Sequence, residues 1–286
     1  MHIIVSGATG VVGNSICKWL LNQQHQVTAI VNTNSNNFEN IKYNEISIDL
    51  KSQKIEIDFQ SIDAFIHCAA VIPNKNSTYS DEDIFNINTA IDGNVFGFCK
   101  KNNLKVIYIS TAYLYENQQN IAYNEQSKVN ASNDGYLKSK LNGERLMLNT
   151  NATIFRITSP YGNIKLQKNV MNTFYQKAIT NERIVLNGKG LRQQNFIHTY
   201  DIAEACYYSI LKNSSGIFNL GYSKTYSMLV LAEEIIKELK SDSTIVYNNC
   251  DEELQNVNFD FSKMNNAFNW QPQIDLKTGL RLIISQ

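Results

Sequence analysis

Proline is scarce, three residues in 286: Pro73, Pro160 and Pro272. That scarcity excludes a Pro-rich stalk or linker, and an apolar share of 43% excludes a disordered chain. Neither sign of charge is in excess, with 26 Lys plus Arg against 26 Asp plus Glu and a formal net charge of +0. A balanced chain lacks the basic footprint that binding to nucleic acid or an anionic membrane requires, so neither is expected as a partner. The five cysteines, Cys17, Cys68, Cys99, Cys206 and Cys250, are odd in number and show no C-x-x-C spacing. They argue for a reducing compartment and against a disulfide framework or a zinc site, and no metal is expected. No stretch approaches the roughly 18 uninterrupted apolar residues of a membrane span. The amino terminus, Met1-His2-Ile3-Ile4-Val5-Ser6-Gly7, has no basic region ahead of its short apolar run. The expectation is a soluble, cytoplasmic protein.

What the chain does contain is alternation. Short apolar runs at Ile3–Ser6, Val27–Val31, Ile46–Ile48, Ala64–Ala70, Val106–Ser110 and Thr153–Ile157 are separated by helical patterns. One such pattern, Asn14–Asn22, is apolar at Ile16, Leu20 and Leu21. Near-continuous apolar strands between helices predict an α/β fold with a doubly wound parallel sheet covered on both faces. Two long helices are predicted. The first runs from about Asp83 to Asn102, with Ile84, Ile87, Ile91, Val95 and Phe98 on one stripe; the second runs from about Gly135 to Asn149. Past Ile157 the alternation weakens. Ser159-Pro160-Tyr161-Gly162 reads as a turn, and helices are predicted over Val170–Thr180 and Met228–Lys240. With no repeat and no linker, residues 1–158 plus about 191–222 are expected to form the sheet domain. Residues of about 159–190 and 223–286 are expected to form a smaller C-terminal substrate lobe.

Between the first strand and first helix lies Gly7-Ala8-Thr9-Gly10-Val11-Val12-Gly13. Glycines here permit a tight turn, close approach of a pyrophosphate and close helix–sheet packing, and the helix start offers free N–H groups to phosphate. Dinucleotide binding by a Rossmann domain follows from that context. Further on, Tyr136-Leu137-Lys138-Ser139-Lys140 sets Tyr136 and Lys140 at i and i+4 on one helix face. A phenol with a pKa near ~10 needs a cation beside it to act as a base at neutral pH, and Lys140 supplies one. Tyr136 is then the candidate general acid/base, passing a proton to or from a carbinol oxygen as hydride moves.

The G-x-x-G-x-x-G spacing and Y-x-x-x-K pair resemble the extended branch of the short-chain dehydrogenase/reductase family, in its epimerase/dehydratase, nucleotide-sugar-modifying group. The resemblance extends over nearly the whole chain, through Asp49-Leu50, His67-Cys68-Ala69-Ala70, Asn88 and Arg156-Ile157-Thr158-Ser159-Pro160-Tyr161-Gly162. It continues through Asn195-Phe196-Ile197-His198-Thr199-Tyr200-Asp201-Ile202-Ala203, Phe218-Asn219-Leu220-Gly221, Trp270-Gln271-Pro272 and Gly279-Leu280. It implies that Gly7, Thr9, Gly10, Val11, Val12, Gly13, Asn32, Asp49, Leu50, Cys68, Ala69, Ala70, Asn88 and Ser159, with Tyr136 and Lys140, line the cofactor. Registering Tyr115 with the family tyrosine puts the third catalytic group, a hydroxyl, at Thr111. Ser110 is the fallback, but its side chain should point to the other face of the strand. Ile72, Thr111, Ala112, Tyr113, Tyr161, Arg192 and Gln194 are implied to line the substrate. His67 and His198 lack metal-ligand companions and are expected to be packed, satisfied histidines, and Cys68 a small core residue.

The second strand ends Val31-Asn32-Thr33-Asn34, with neither the carboxylate that holds the ribose of NAD nor the cation that pairs with the phosphate of NADP. Both cofactors are admissible, with a slight lean to NADP. The family implies a nucleotide-activated sugar as substrate and a homodimer built on the two long helices. Gln194 stands where many relatives carry an arginine for the diphosphate; Arg192 lies two residues earlier. Ala112 and Tyr113 replace the Asp-Glu pair that sugar 4,6-dehydratases use, which sets dehydration aside. A 4-keto-sugar reductase is expected ahead of a 4-epimerase, on two grounds: the chain is short, and a reductase tolerates weaker cofactor binding. A non-catalytic NADP sensor or scaffold is the alternative of another class, and an intact Thr111, Tyr136 and Lys140 argue against it.

Overall fold

The computed structural model describes residues 1–32, 44–57, 61–73, 78–118, 121–131, 134–166, 169–250 and 257–285. The parallel sheet is formed by β1 (His2–Ser6), β2 (Gln26–Val31), β3 (Asn44–Ser47), β4 (Ala64–His67), β5 (Lys105–Thr111) and β6 (Ala152–Ile157). A late strand, β10 (Gly216–Leu220), joins them to give the order β10-β6-β5-β4-β1-β2-β3. Strand order reverses between β1 and β4, the place where doubly wound sheets open a ligand crevice at their carboxyl ends. Ser6 is level with His67 across that junction, so the loops starting at Gly7 and Cys68 leave the sheet side by side.

Period-two alternation decides which helices cover which face. From β1, Ile3 and Val5 point into a core with Ile16, Cys17 and Leu20 of α1 (Val11–Asn22) and Ile202, Ala205 and Cys206 of α5 (Thr199–Leu211). Ile4 points the other way, into a core with Ile91, Val95 and Phe98 of α2 (Asp81–Lys101) and Met147 of α3 (Gly135–Met147). The ends of α2 and α3 are chemically fixed. Ser80 and Asp83 form a reciprocal capping box at the start of α2, and Asp134 accepts from Leu137 N at 2.8 Å at the start of α3.

A third core serves the smaller lobe. It gathers Met171, Phe174 and Ala178 of α4 (Val170–Ile179), Leu231 and Ile235 of α6 (Met228–Leu239), and Leu276, Leu280 and Ile283 of α8 (Leu276–Ile284). Two small sheets flank it, β11-β9-β7 and β12-β8, from β7 (Ser159–Tyr161), β8 (Ile184–Asn187), β9 (Gln193–His198), β11 (Thr225–Ser227) and β12 (Ile245–Asn248). The turn expected at Ser159-Pro160-Tyr161 is therefore a strand. Pro160 sits on the edge strand of its sheet, where a missing N–H is tolerated. Two further departures follow from packing. β9, expected in the sheet domain, pairs with β7 and β11 instead, while α7 (Ser262–Phe268), expected in the lobe, inserts Met264 and Phe268 into the sheet core.

Candidate active site

The glycine loop is tight for reasons visible atom by atom. Gly7 has φ +67°, and a Cβ there would lie 2.7 Å from Ala69 N and 2.8 Å from the Cys68 carbonyl carbon. A Cβ on Gly13 would lie 2.3 Å from Gly7 O. Glycine at both positions lets α1 start against the crossing of the β1 and β4 loops. Gly10 is the N-cap of α1 and has no side chain to compete for the free N–H groups of Val11, Val12 and Gly13, which leaves that helix start open to an anion.

The β4 loop is held from α2. Asn88 is buried; its Oδ1 accepts from Val71 N at 2.7 Å, and its Nδ2 donates to Val71 O and to Ser139 Oγ, both at 3.0 Å. Ser139 Oγ in turn donates to Tyr136 O at 2.7 Å. Asn88 thus fixes the Cys68-Ala69-Ala70 segment relative to the helix that carries Tyr136. Asn32 is exposed at the end of β2, while Thr33 lies outside the described residues. Leu50 is a core residue whose carbonyl accepts from Asn94, and Asp49 caps its own turn through Ser52 Oγ at 3.0 Å.

Thr111 ends β5, with its Oγ1 accepting from Tyr113 N at 3.2 Å as the chain enters a 3₁₀ turn, Ala112–Leu114. Ser110, on the opposite strand face, donates to Glu144 at 2.6 Å and is structural, as the alternation requires. Tyr136 is half-buried and Lys140 is buried, its ammonium donating to Ile109 O at 2.9 Å and sitting 5.9 Å from the Tyr136 ring centre. Burial, then the charges of Asp134 and Asp92, push the Tyr136 phenol well above its ordinary range. Burial pulls Lys140 down, opposed by Asp92, Cys68 and Glu144. Burial also pushes Cys68 up to about 12, so it is an unreactive thiol.

On the lobe side, Tyr113 OH and Ser159 Oγ are 2.6 Å apart, and Gln194 Nε2 donates to Tyr113 OH at 2.7 Å and also to Ser159 Oγ. Arg192 reaches Gln194 Oε1 at 3.5 Å. Ile72 and Tyr113 are exposed, and Ala112 is buried in a cluster with Tyr115 and Tyr123. Tyr161 departs from its expected substrate-lining role. It is 1% exposed, packs against Phe196 and His198, and its hydroxyl donates to Asp275 O at 3.1 Å. The reason is local: Gly279 leaves room for its ring, since a Cβ there would lie 2.2 Å from the hydroxyl.

His67 is fully partnered, with Ser6 Oγ at 2.7 Å on Nδ1 and Asp92 Oδ1 at 2.9 Å on Nε2. His198 Nδ1 accepts from Tyr200 N at 3.2 Å, its Nε2 has no partner among the described residues, and burial holds it neutral, down to about 4. Sequence reading missed the buried pair Glu144–Arg156, bidentate at 2.9 and 2.7 Å, and the carboxylate of Asp92. A signal for the latter existed: Asn88 and Asp92, four apart, interrupt the apolar stripe of α2. Among the described residues no cluster suits a metal ion, and no helix is long and apolar enough to cross a membrane.

Comparison with known proteins agrees with this geometry. A putative UDP-glucose 4-epimerase of Methanocaldococcus jannaschii is 25% identical over 299 residues, covering 99% of this chain and 97% of its own. UDP-glucuronic acid decarboxylase 1 of Arabidopsis thaliana is 24% identical, covering 100% of this chain and 69% of its own. The crystal structure of UDP-glucuronic acid 4-epimerase from Bacillus cereus, in complex with UDP-glucuronic acid and NAD, superposes with a TM-score of 0.83 at 22% identity, over 100% and 98% of the two chains. Residues 3–221 match the model of the NAD dependent epimerase/dehydratase family. The chain belongs to that family and is an enzyme of the short-chain dehydrogenase/reductase type.

Proposed function

We propose that the protein oxidises and reduces C4 of a nucleotide-linked sugar with a bound NAD or NADP, and that its net reaction is 4-epimerisation. The observation that carries this reading is the buried Lys140, 5.9 Å from the Tyr136 ring centre and hydrogen-bonded to Ile109 O, two residues before Thr111 at the carboxyl end of β5. The nicotinamide cofactor supplies the hydride acceptor and donor. Gly7, Gly10, Val11, Val12 and Gly13 present backbone to its pyrophosphate, Asn32 to its adenosine ribose, and Lys140 an ammonium to the other ribose. Thr111 hydrogen-bonds the C4 oxygen, and Tyr136 takes and returns its proton. Tyr113, Ser159 and Gln194 form a neutral polar ledge for the sugar, with Arg192 at its rim for the diphosphate.

The expectation of a reductase rested partly on chain length, and that support is gone. UDP-sugar epimerases superpose on this chain over 98% of their own length, so chain length does not favour the reductase. Reduction of a 4-keto sugar stays as the second reading on one observation: the exposed Asn32 offers no carboxylate to retain NAD through two hydride transfers. Purified protein incubated with UDP-glucose, UDP-N-acetylglucosamine or UDP-glucuronic acid and followed by proton NMR should produce the C4 epimer of one of them, with no net change in cofactor absorbance. Stoichiometric loss of reduced cofactor with a 4-keto substrate would replace the epimerase reading by the reductase. Thermal stabilisation by NAD against NADP identifies the cofactor, and stabilisation by neither would overturn both readings.

A further inference from the structure

Beneath the Tyr136–Lys140 pair lies a buried carboxylate that the chemistry above does not use. Asp92, 2% exposed on α2, accepts from Tyr108 OH through Oδ2 at 2.9 Å and from His67 Nε2 through Oδ1 at 2.9 Å. His67 Nδ1 takes its hydrogen from Ser6 Oγ at 2.7 Å, which sets the ring as the Nε2–H tautomer. All four residues are at most 2% exposed. Backbone has been cleared for the cluster: a Cβ on Gly143 of α3 would lie 2.2 Å from Tyr108 OH and 2.3 Å from Asp92 Oδ2.

Both donors to Asp92 are neutral. Burial lowers His67 and raises Tyr108, so neither ionises near neutral pH. An ionised carboxylate buried among neutral partners is costly unless a cation compensates it. A cation shares this cluster: the Lys140 ammonium stands 4.7 Å from the centre of the Tyr108 ring, whose hydroxyl donates to Asp92. The groups facing Lys140 are Asp92 from α2, His67 and Cys68 from β4 and its loop, Tyr108 from β5, and Tyr136 and Glu144 from α3. Glu144 also raises Lys140, but less than Asp92 does, and is itself held by two hydrogen bonds from Arg156 and one from Ser110. Cys68 is a protonated thiol, and the tyrosines are neutral phenols.

We propose that Asp92, held by His67 and Tyr108, is a positioning residue: it is the counter-charge that keeps Lys140 an ammonium in its buried place below Tyr136. Burial alone drives a lysine towards the neutral amine, which could neither stabilise a phenolate nor hold a ribose as a cation. Asp92 opposes that drift without contacting substrate or cofactor. The same negative charge disfavours phenolate on Tyr136. The functional half of this inference rests on the catalytic reading of Lys140, whereas the charge state of Lys140 does not.

The test separates the two. In lysine-labelled protein free of cofactor, the Lys140 side-chain signals, assigned by their loss in Lys140→Arg, are followed by carbon and nitrogen NMR against pH. Wild-type Lys140 is expected to be charged at pH 7. In Asp92→Asn it should titrate at least about one pH unit lower, the smaller end of the effect of a close opposite charge. A neutral Lys140 in the wild type at pH 7 would overturn the proposal even if the variant failed to fold, and so would equal titration of the two proteins. With an active substrate in hand, Asp92→Asn should move the alkaline limb of the turnover profile down by the same displacement and leave KM for the sugar nucleotide unchanged. A pH-independent loss of turnover would mark Asp92 as merely structural and refute the positioning role.

Discussion

The three glycines of the cofactor loop do different work, and substituting each by alanine should separate folding from binding. Gly13→Ala places a methyl 2.3 Å from Gly7 O, more than an ångström inside the 3.4 Å at which ordinary contact begins. The atom it meets is backbone, and it already accepts from Gly10 N at 3.0 Å. Overpacking of this kind costs about 1–3 kcal/mol, and loss of the displaced hydrogen bond about 1 more. Alanine regains about 1 kcal/mol of helix propensity, leaving a net loss of about 1–3 kcal/mol. Gly7→Ala meets Ala69 N at 2.7 Å and adds about 1–2 kcal/mol for a side chain at φ +67°. Gly10→Ala meets only Gly7 O, at 3.3 Å, and loses less than about 1 kcal/mol as an N-cap change. At about 2–4 °C for each kcal/mol, Gly7→Ala and Gly13→Ala should melt several degrees below wild type without ligand. Gly10→Ala should melt close to it. Titrating NAD and NADP then reverses the ranking of interest: Gly10→Ala, folded but with a methyl facing the pyrophosphate, should lose most of its cofactor-induced stabilisation. If Gly13→Ala melts with the wild type, or Gly10→Ala keeps the full cofactor shift, the account of the loop is wrong.

Tyr136→Phe should fold and bind cofactor normally while turnover falls at least about 10²-fold; substantial retained turnover would remove Tyr136 from the acid/base role. Arg156→Met leaves the buried Glu144 carboxylate with Ser110 as its remaining side-chain partner and should destabilise the protein by about 3–5 kcal/mol, read by urea denaturation. Asp201, 1% exposed, is raised from 3.8 to about 6 by burial, against two backbone N–H donors from Gln273 and Ile274. A group whose folded value is raised contributes stability below its unfolded value and loses it as pH rises through its folded value. Denaturation midpoints should therefore carry a component, on the order of 3 kcal/mol, that declines from pH 4 to about 6. In Asp201→Asn that component should vanish whatever the variant's baseline, and an unchanged pH slope would refute the assignment. If α2 and α3 pair two copies, light scattering at micromolar concentration should give twice 32.5 kDa; a monomer mass would dismiss the homodimer.

How much was legible in the sequence depended on whether a residue's role is set locally. β1, the glycine loop and α1 are contiguous, so the loop could be read from its spacing within a strand–loop–helix context. Tyr136 and Lys140 are one helical turn apart, and their shared face follows from helix geometry. Registering Tyr115 with the family tyrosine favours Thr111 over Ser110, and alternation puts the Ser110 side chain on the other strand face, where it donates to Glu144. Failures came where distant segments set the environment. Pro160 reads as a turn until β9 pairs beside it, and Tyr161 reads as a cleft residue until Gly279, more than a hundred residues later, opens a core slot for its ring.

Asp92 shows that limit most clearly. On α2 it looks like one more polar residue of a long helix, and its spacing from Asn88 gives the face but not the partner. Its meaning comes from β4, which brings His67, from β5, which brings Tyr108, and from Gly143, whose missing side chain lets α3 close on both. The same helix α3 carries Lys140 between two buried carboxylates, and they are not equivalent. Glu144 is bound by Arg156 of β6 and Ser110 of β5, so its charge is spent on joining α3 to the sheet. Among the described residues the side chains that donate to Asp92 are the neutral His67 and Tyr108, and of the two carboxylates it acts more strongly on Lys140. The sequence puts Glu144 on α3 and Asp92 on another helix, and only the distribution of their hydrogen bonds tells which one can govern the proton on the lysine.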